Sequence, residues 1–183
     1  IWLGLVGSEM CIRDRKWAMP TRPLFTRILI GGLEKKLKII DKLNQIMELE
    51  LAGVVRYTHY SLMIYGYNRI PIVSWMKSNA MEGLEHAHRA GEMVTLLGGH
   101  PSLKIGPLLE TENHDIGNIM RESMTHEKEA LACYYDLMKL AAEENNVLIE
   151  EYAREMISCE ELHLDEVDKM LRKPGDIEQF SGI

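Results

Sequence analysis

Basic charge is scarce in this chain. Twenty-one lysines and arginines stand against 28 aspartates and glutamates, a net charge of −7. Binding phosphate needs a basic surface, so this balance excludes nucleic acid as the main partner and suits a protein that attracts cations. Cysteine is scarce too. Cys11, Cys133 and Cys159 are odd in number and form no Cys-x-x-Cys pair, which excludes a disulfide framework and a zinc knuckle and points to a reducing, cytoplasmic setting. No apolar run approaches the ~20 residues a membrane span requires, so no membrane is expected as a partner. Strand alternation is missing throughout. Phenylalanine occurs twice against twelve methionines, so the core is expected to be Leu, Ile and Met carried on helices.

What is present is one domain's length, 183 residues, of which 46% are apolar. The start does not match the rest. Ile1–Val6 is too short for a signal sequence and no basic segment precedes it. The stretch from Val6 to Arg15 resembles translated sequencing adaptor. Residues 17–33, with Pro20, Pro23 and Gly31-Gly32, read as a lead-in. The expected organisation is a disordered or non-native extension over 1–33, a folded unit over 34–173 and a short tail over 174–183.

Apolar spacing of three and four predicts four long helices. The first runs from Leu33 to Tyr67, where Asn68 to Pro71 ends it, because a residue before proline avoids helical geometry. The second runs from Ile72 to Leu97 and is stopped by Gly98-Gly99-His100-Pro101. The third runs from Glu110 to Glu144 up to the break at Asn145-Asn146, and the fourth from Val147 to Arg172 before Pro174-Gly175. Very short turns make the first and last pairs antiparallel. The link between the second and third, about 12 residues, reaches about 40 Å when extended. A helix of about 26 residues is about 39 Å long, so the link can travel the bundle and leave the second and third helices parallel. The expectation is an all-α four-helix bundle with one long crossover.

Polar residues interrupt the inward stripes of all four helices at mid-length. Glu50 lies between Ile46 and Val54, Glu82 and His86 between Asn79 and Ala90, Glu127 between Ser123 and Leu131, and Glu160 and His163 between Met156 and Val167. A buried carboxylate is costly unless it is paired or bound to metal. Four glutamates in one core would repel, whereas two divalent cations cancel their charge and neutral histidines add ligands without charge. Carboxylates with some imidazole suit iron or manganese better than zinc. Two Glu/His half-sites with a lone glutamate on each of the other helices form the ligand set of di-iron and di-manganese carboxylate bundles. The remaining histidines, His59, His88, His100, His114 and His126, read as surface or capping residues. Tyr57 and Tyr134 stand beside the candidate ligands, placed to hydrogen-bond the carboxylates.

From Glu34 to Lys173 the chain resembles the bacterioferritin branch of the ferritin-like superfamily. The residues that carry the resemblance are Glu50-Leu51-Ala52-Gly53-Val54-Val55-Arg56-Tyr57, His86-Ala87, Leu97-Gly98-Gly99-His100-Pro101-Ser102-Leu103, Glu127-Lys128-Glu129-Ala130-Leu131 and Glu160-Glu161-Leu162-His163. Matched to the family pattern, Glu50, His86, Glu127, Glu160 and His163 fall on ligand positions. The family's Glu-x-x-His on the second helix would place its glutamate at position 83, which is Gly83 here. Glu82 with His86, helped into register by a local bulge, is the preferred substitute; Glu85 with His88 is the other option. The family's haem-ligating methionine falls on Leu84, with Met81 nearby, so haem is not expected.

The resemblance implies a di-iron ferroxidase that oxidises Fe(II) to Fe(III) with O2, for iron storage and detoxification. Glu82 and Glu160 would bridge the metals, Glu50 with His86 would bind one iron, and Glu127 with His163 the other. Manganese is the second candidate metal. The resemblance implies a homo-oligomer, from a dimer up to a shell of two dozen subunits, with no helix after Pro174 to complete the larger form. Two alternatives remain open. One is a di-iron or di-manganese oxidase, oxygenase or peroxidase on the same fold; the rubrerythrin-like kind carries a Cys-x-x-Cys module missing here, and an oxygenase needs an apolar pocket beside the metals. The other is a non-catalytic helical interaction bundle.

Overall fold

The three-and-four spacing of apolar residues closes four helices around one axis, and a computed structural model describes them over residues 24–109 and 112–180. They are α1 (Leu24–Met63), α2 (Arg69–Leu96), α3 (Ile116–Glu143) and α4 (Val147–Leu171). No strand occurs among the described residues. Helix α1 begins at Leu24, ahead of the expected Leu33. Residues 1–23 of the expected N-terminal extension lie outside the described residues.

Local chemistry sets the helix ends. Helix α1 stops at Met63, Gly66 turns the chain with a φ of +92°, and the Arg69 guanidinium donates to the Ile64 carbonyl. Helix α2 starts before Pro71, because proline in a first turn forfeits only an N–H that has no helical partner there. Helix α3 starts at Ile116, later than the expected Glu110. Asp115 is its N-cap, with extended backbone and a carboxylate that accepts from Asn118 N at 2.9 Å. Such a cap contributes about 1 kcal/mol. Asn145 takes a left-handed φ of 54° between α3 and α4, and Asn146 caps α4 by accepting from Ile149 N.

Helix α1 packs on α2 and on α3, and α3 packs on α4. The α2–α3 connection covers residues 97–115, so it is longer than expected, and it lies along α1. Ser102 N donates to Asn44 Oδ1 at 2.8 Å, Gly106 N to the Glu48 carbonyl at 2.8 Å, and His114 Nδ1 lies 2.7 Å from the Met63 carbonyl. From Asn44 to Met63 is about 28 Å at 1.5 Å per residue, so the connection travels the bundle and α2 and α3 run parallel.

The crossover sits close because Gly106 has no side chain. A Cβ there would lie 2.9 Å from the Glu48 carbonyl oxygen and 3.2 Å from Leu49 Cα. Backbone cannot rotate away as a side-chain tip can. Gly106→Ala is expected to lower stability by about 1–3 kcal/mol, read as a fall in Tm of about 2–4 °C per kcal/mol for a domain of this size.

The core has two apolar clusters. One gathers Ile39–Leu49 of α1, Ala87–Val94 of α2, Cys133–Ala141 of α3 and Ile149–Ile157 of α4. The other gathers Tyr57–Ile64, Met76–Ala80, Ile119–Met124 and Val167. Each fully buried Leu, Ile or Met contributes roughly 1.5–3 kcal/mol. On all four helices the gap between the clusters falls at the same level, and every inward polar residue of interest lies in that gap.

Candidate metal centre

The gap is filled from four sides. Helix α1 brings Glu50, α2 His86, α3 Glu127 and α4 Glu160 and His163. Glu50, His86, Glu127 and Glu160 are all buried, Glu160 to 2% exposure. Their ligand atoms form two groups, Glu50–His86–Glu160 and Glu127–Glu160–His163, each within 4.8 Å of one another. Glu160 belongs to both. Two three-residue groups that share one carboxylate could hold two ions side by side.

Both histidines turn the same nitrogen inward. His86 Nδ1 lies 3.0 Å from Glu160 Oε1 and 3.7 Å from Glu50 Oε2, and His163 Nδ1 lies 3.7 Å from Glu160 Oε2. Their rings are nearly parallel, with centroids 6.3 Å apart. Two tyrosines fix the outer carboxylates: Tyr57 OH donates to Glu127 Oε1 at 2.5 Å and Tyr134 OH to Glu50 Oε1 at 2.7 Å, the role expected of them. Glu160 Oε1 meets no donor with hydrogen-bond geometry, although His86 Nδ1 lies 3.0 Å from it. A buried carboxylate with one oxygen lacking a donor beside the His86 imidazole and the other facing His163 fits a divalent cation.

The electrostatics follow from packing three carboxylates and two imidazoles together in the core. Burial would depress the His86 imidazolium, but the Glu160 and Glu50 carboxylates outweigh it and lift its pKa to about 10. The Glu160 carboxylate lifts His163 to about 9 against the opposing effect of burial. Burial opposes ionisation of Glu160, yet His163 and His86 bring it down to about 2. Glu127, buried and facing the Glu160 charge, rises to about 8, and burial raises Glu50.

Glu82 is not in either group. The buried positions of α2, Met76, Asn79, Ala80, His86, Ala87, Ala90 and Val94, fan about a centre that coincides with Gly83 at 100° per residue, and Glu82 falls about 100° away. Helix α2 is uninterrupted α-helix from Arg69 to Leu96, so the expected bulge is not there. Glu82 stands instead on the half-exposed rim, its Oε2 3.1 Å from His163 Nε2 and its Oε1 3.9 Å from His86 Nε2. Glu85 and His88 are exposed.

One expectation among the other histidines needs correction. His126, read as a surface or capping residue, is 4% exposed and lines the same small cavity as the ligand groups. Gly53 makes the room: a Cβ there would lie 3.1 Å from His126 Nε2. Burial, reinforced by the Arg56 charge, lowers its pKa to about 4 and keeps it neutral. The signal in the sequence was Gly53 one turn after Glu50, a small residue facing a large one across the α1–α3 contact.

A profile of the ferritin-like domain matches residues 40–175. The chain is 25% identical over 137 residues to a bacterioferritin from Brucella melitensis biotype 1, covering 73% of this chain and 83% of that one. Among solved structures, it is similar to a ferritin-like diiron-carboxylate protein from Bacillus anthracis str. Ames, with TM-score 0.72 and 22% identity, covering 75% of this chain and 98% of that one. It is also similar to the Desulfovibrio desulfuricans bacterioferritin, described with its diiron site in different catalytic states, with TM-score 0.68 and 24% identity over 76% and 81% of the two chains. The Rhodobacter capsulatus bacterioferritin, described with a metal-free dinuclear site and haem iron, gives TM-score 0.66 and 22% identity over 74% and 84%. At these identities the solved structures establish the shared fold.

Proposed function

The chain belongs to the ferritin-like domain family, within which it matches bacterioferritin, and from that premise we propose that its buried carboxylate–histidine cluster takes two Fe(II) ions as substrate and passes their electrons to O2, for iron detoxification and storage. The observation that carries this reading is the pair of three-ligand groups sharing Glu160. Each Fe(II) gives one electron on oxidation to Fe(III), so a two-ion site supplies two electrons to one dioxygen.

The residues divide the work. Glu50 and His86 hold one ion, Glu127 and His163 the other, and Glu160 joins them. Tyr134 and Tyr57 keep the terminal carboxylates oriented while the site is empty of metal. Glu82 is assigned the outer side of the histidines: 3.1 Å from His163 Nε2, it accepts from that nitrogen and holds the His163 Nδ1 lone pair inward, the usual arrangement of a carboxylate behind a metal-bound imidazole. The apolar clusters above and below confine exchange to the level of the site.

The cavity supports oxidation of a small substrate over oxygenation of an organic one. Its volume is about 20 Å³, lined by Glu50, Asn79, Gly83 and His86 among others, and about one water fits such a space. Exposed apolar side chains on the outer faces, Leu62, Met81 and Leu162 among them, support assembly of copies into a homo-oligomer, as a storage role requires.

The test is anaerobic Fe(II) titration followed by oxygen, with the product sized by gel filtration. Saturation near two irons per chain with prompt oxidation is expected. No binding sinks the metal reading. A particle no larger than a dimer sinks the storage shell and leaves the oxidase.

A further inference from the structure

We propose that Tyr134 and Tyr152 form a relay that carries a hydrogen atom, one electron with its proton, from a surface recess to the Glu50 end of the metal centre; this rests on the two-iron reading above. Tyr134 is fully buried, and its hydroxyl donates to Glu50 Oε1 at 2.7 Å. Tyr152 packs edge-on against it, with ring centroids 6.2 Å apart and planes at 69°. Tyr152 also lines a recess of about 480 Å³ with Arg89, Met93, Leu148 and Glu155. Glu50, Tyr134, Tyr152 and the recess therefore form an unbroken line from a candidate ligand to the surface. The Tyr152 hydroxyl is the part that packing does not explain. It is buried and meets no partner with hydrogen-bond geometry. An unpartnered buried hydroxyl is destabilising, and phenylalanine would fill the same space without it. What a phenol has and a benzene ring lacks is a readily lost hydrogen atom.

Charge decides that electron and proton leave together. Burial, then the Glu50 and Glu160 charges, hold the proton on the Tyr152 oxygen, while the Tyr134 hydroxyl and Arg89 act against them. The Arg89 guanidinium lies 5.5 Å over the Tyr152 ring, and a cation there disfavours positive charge on that ring. The relay matters when the centre holds a single Fe(II). Two-electron reduction of O2 gives hydrogen peroxide, and peroxide needs two more electrons to become water. One Fe(II) supplies one, and splitting peroxide with that electron alone releases hydroxyl radical. Tyr134 supplies the second as its O–H bond breaks, the proton passing by way of Glu50 to the peroxide oxygen. Tyr152 then gives its hydrogen atom to the Tyr134 oxygen. In sum, H2O2, Fe(II), H+ and the Tyr152 phenol become two H2O, Fe(III) and the Tyr152 phenoxyl radical. A small hydrogen-atom donor from solution, entering the recess, restores the phenol.

The experiment loads the full chain anaerobically with one Fe(II), adds one equivalent of hydrogen peroxide, and freezes samples over time for electron paramagnetic resonance. A tyrosyl signal is expected, with roughly tenfold less of it in Tyr134→Phe. Ascorbate, added after the peroxide as the hydrogen-atom donor, is expected to erase the signal of the natural chain. In Tyr152→Phe the radical stays on buried Tyr134, and erasure is expected to be roughly tenfold slower. Tyr152→Phe is also expected to keep or raise Tm, which a purely structural hydroxyl would not allow. If Tyr134→Phe misfolds, the Tyr152→Phe comparison decides the matter. Fe(II) bound with no tyrosyl signal overturns the proposal. So does a signal that Tyr134→Phe leaves intact and Tyr57→Phe removes, and so does equal ascorbate erasure in Tyr152→Phe and the natural chain. No Fe(II) bound overturns the two-iron reading and this proposal together.

Discussion

Replacing Glu160 with glutamine is expected to abolish tight binding of both metal ions at once. Glu50, His86, Glu127 and His163 each belong to one three-ligand group, and Glu160 alone belongs to both. Loss of a residue that only orients a ligand costs 10- to 100-fold in affinity, so losing a shared ligand is expected to cost roughly 100-fold or more at each site. The glutamine keeps the shape, which separates lost coordination from lost packing. By contrast, Glu50→Gln or Glu127→Gln is expected to leave one ion bound. Anaerobic titration with Fe(II) or Co(II) reads the difference as stoichiometry, none against one against two. One ion retained by Glu160→Gln would show that the two sites do not share this carboxylate.

The second large effect is in pH, and metal-free and metal-loaded protein are expected to respond in opposite senses. Without metal, His86 and His163 have pKa values of about 10 and about 9, raised above the ordinary 6.5. The stability they contribute is complete below about 6.5 and is lost as pH rises through 9 and 10. Glu127, raised from its ordinary 4.5 to about 8, acts in the same direction from a lower start: its contribution is complete below about 4.5 and is lost as pH rises through 8, since ionising it unpaired in the core is penalised. Glu160, lowered to about 2, contributes stability above its ordinary 4.5 that is lost as pH falls towards 2. The metal-free fold is therefore expected to be most stable near pH 4.5, to lose stability as pH rises from there, and to lose it more steeply above about 6.5.

Metal binding needs those protons gone. At pH 7 both histidines and Glu127 carry one, so loading two ions is expected to release up to about three protons, and affinity to rise about tenfold per pH unit for each proton displaced. Calorimetry in two buffers of different ionisation enthalpy counts the protons. The Tm difference between loaded and metal-free protein is expected to widen from pH 6 to pH 9. Proton release near zero at pH 7 would mean that the ions bind elsewhere.

The sequence by itself determined the architecture and most of the residues that meet in the candidate site. The three-and-four apolar period, the Gly98–Pro101 stop and the Asn145-Asn146 break are local signals, and local signals suffice for four helices and their order. The glutamates on α1, α3 and α4 and the two histidines were legible because burial is written in periodicity: a charged residue at the centre of an apolar stripe has to be compensated. Tertiary structure decided what depends on rotation and on neighbours. Glu82 and Gly83 differ by one step along α2, yet one step is 100° of rotation, and only packing against α1 and α4 selects which of them faces the core. His126 was hidden for the same reason, since its burial depends on Gly53 of another helix giving up a side chain's volume. The sharing of Glu160 between two groups is likewise a fact of distance across the bundle, which no spacing within a single helix encodes.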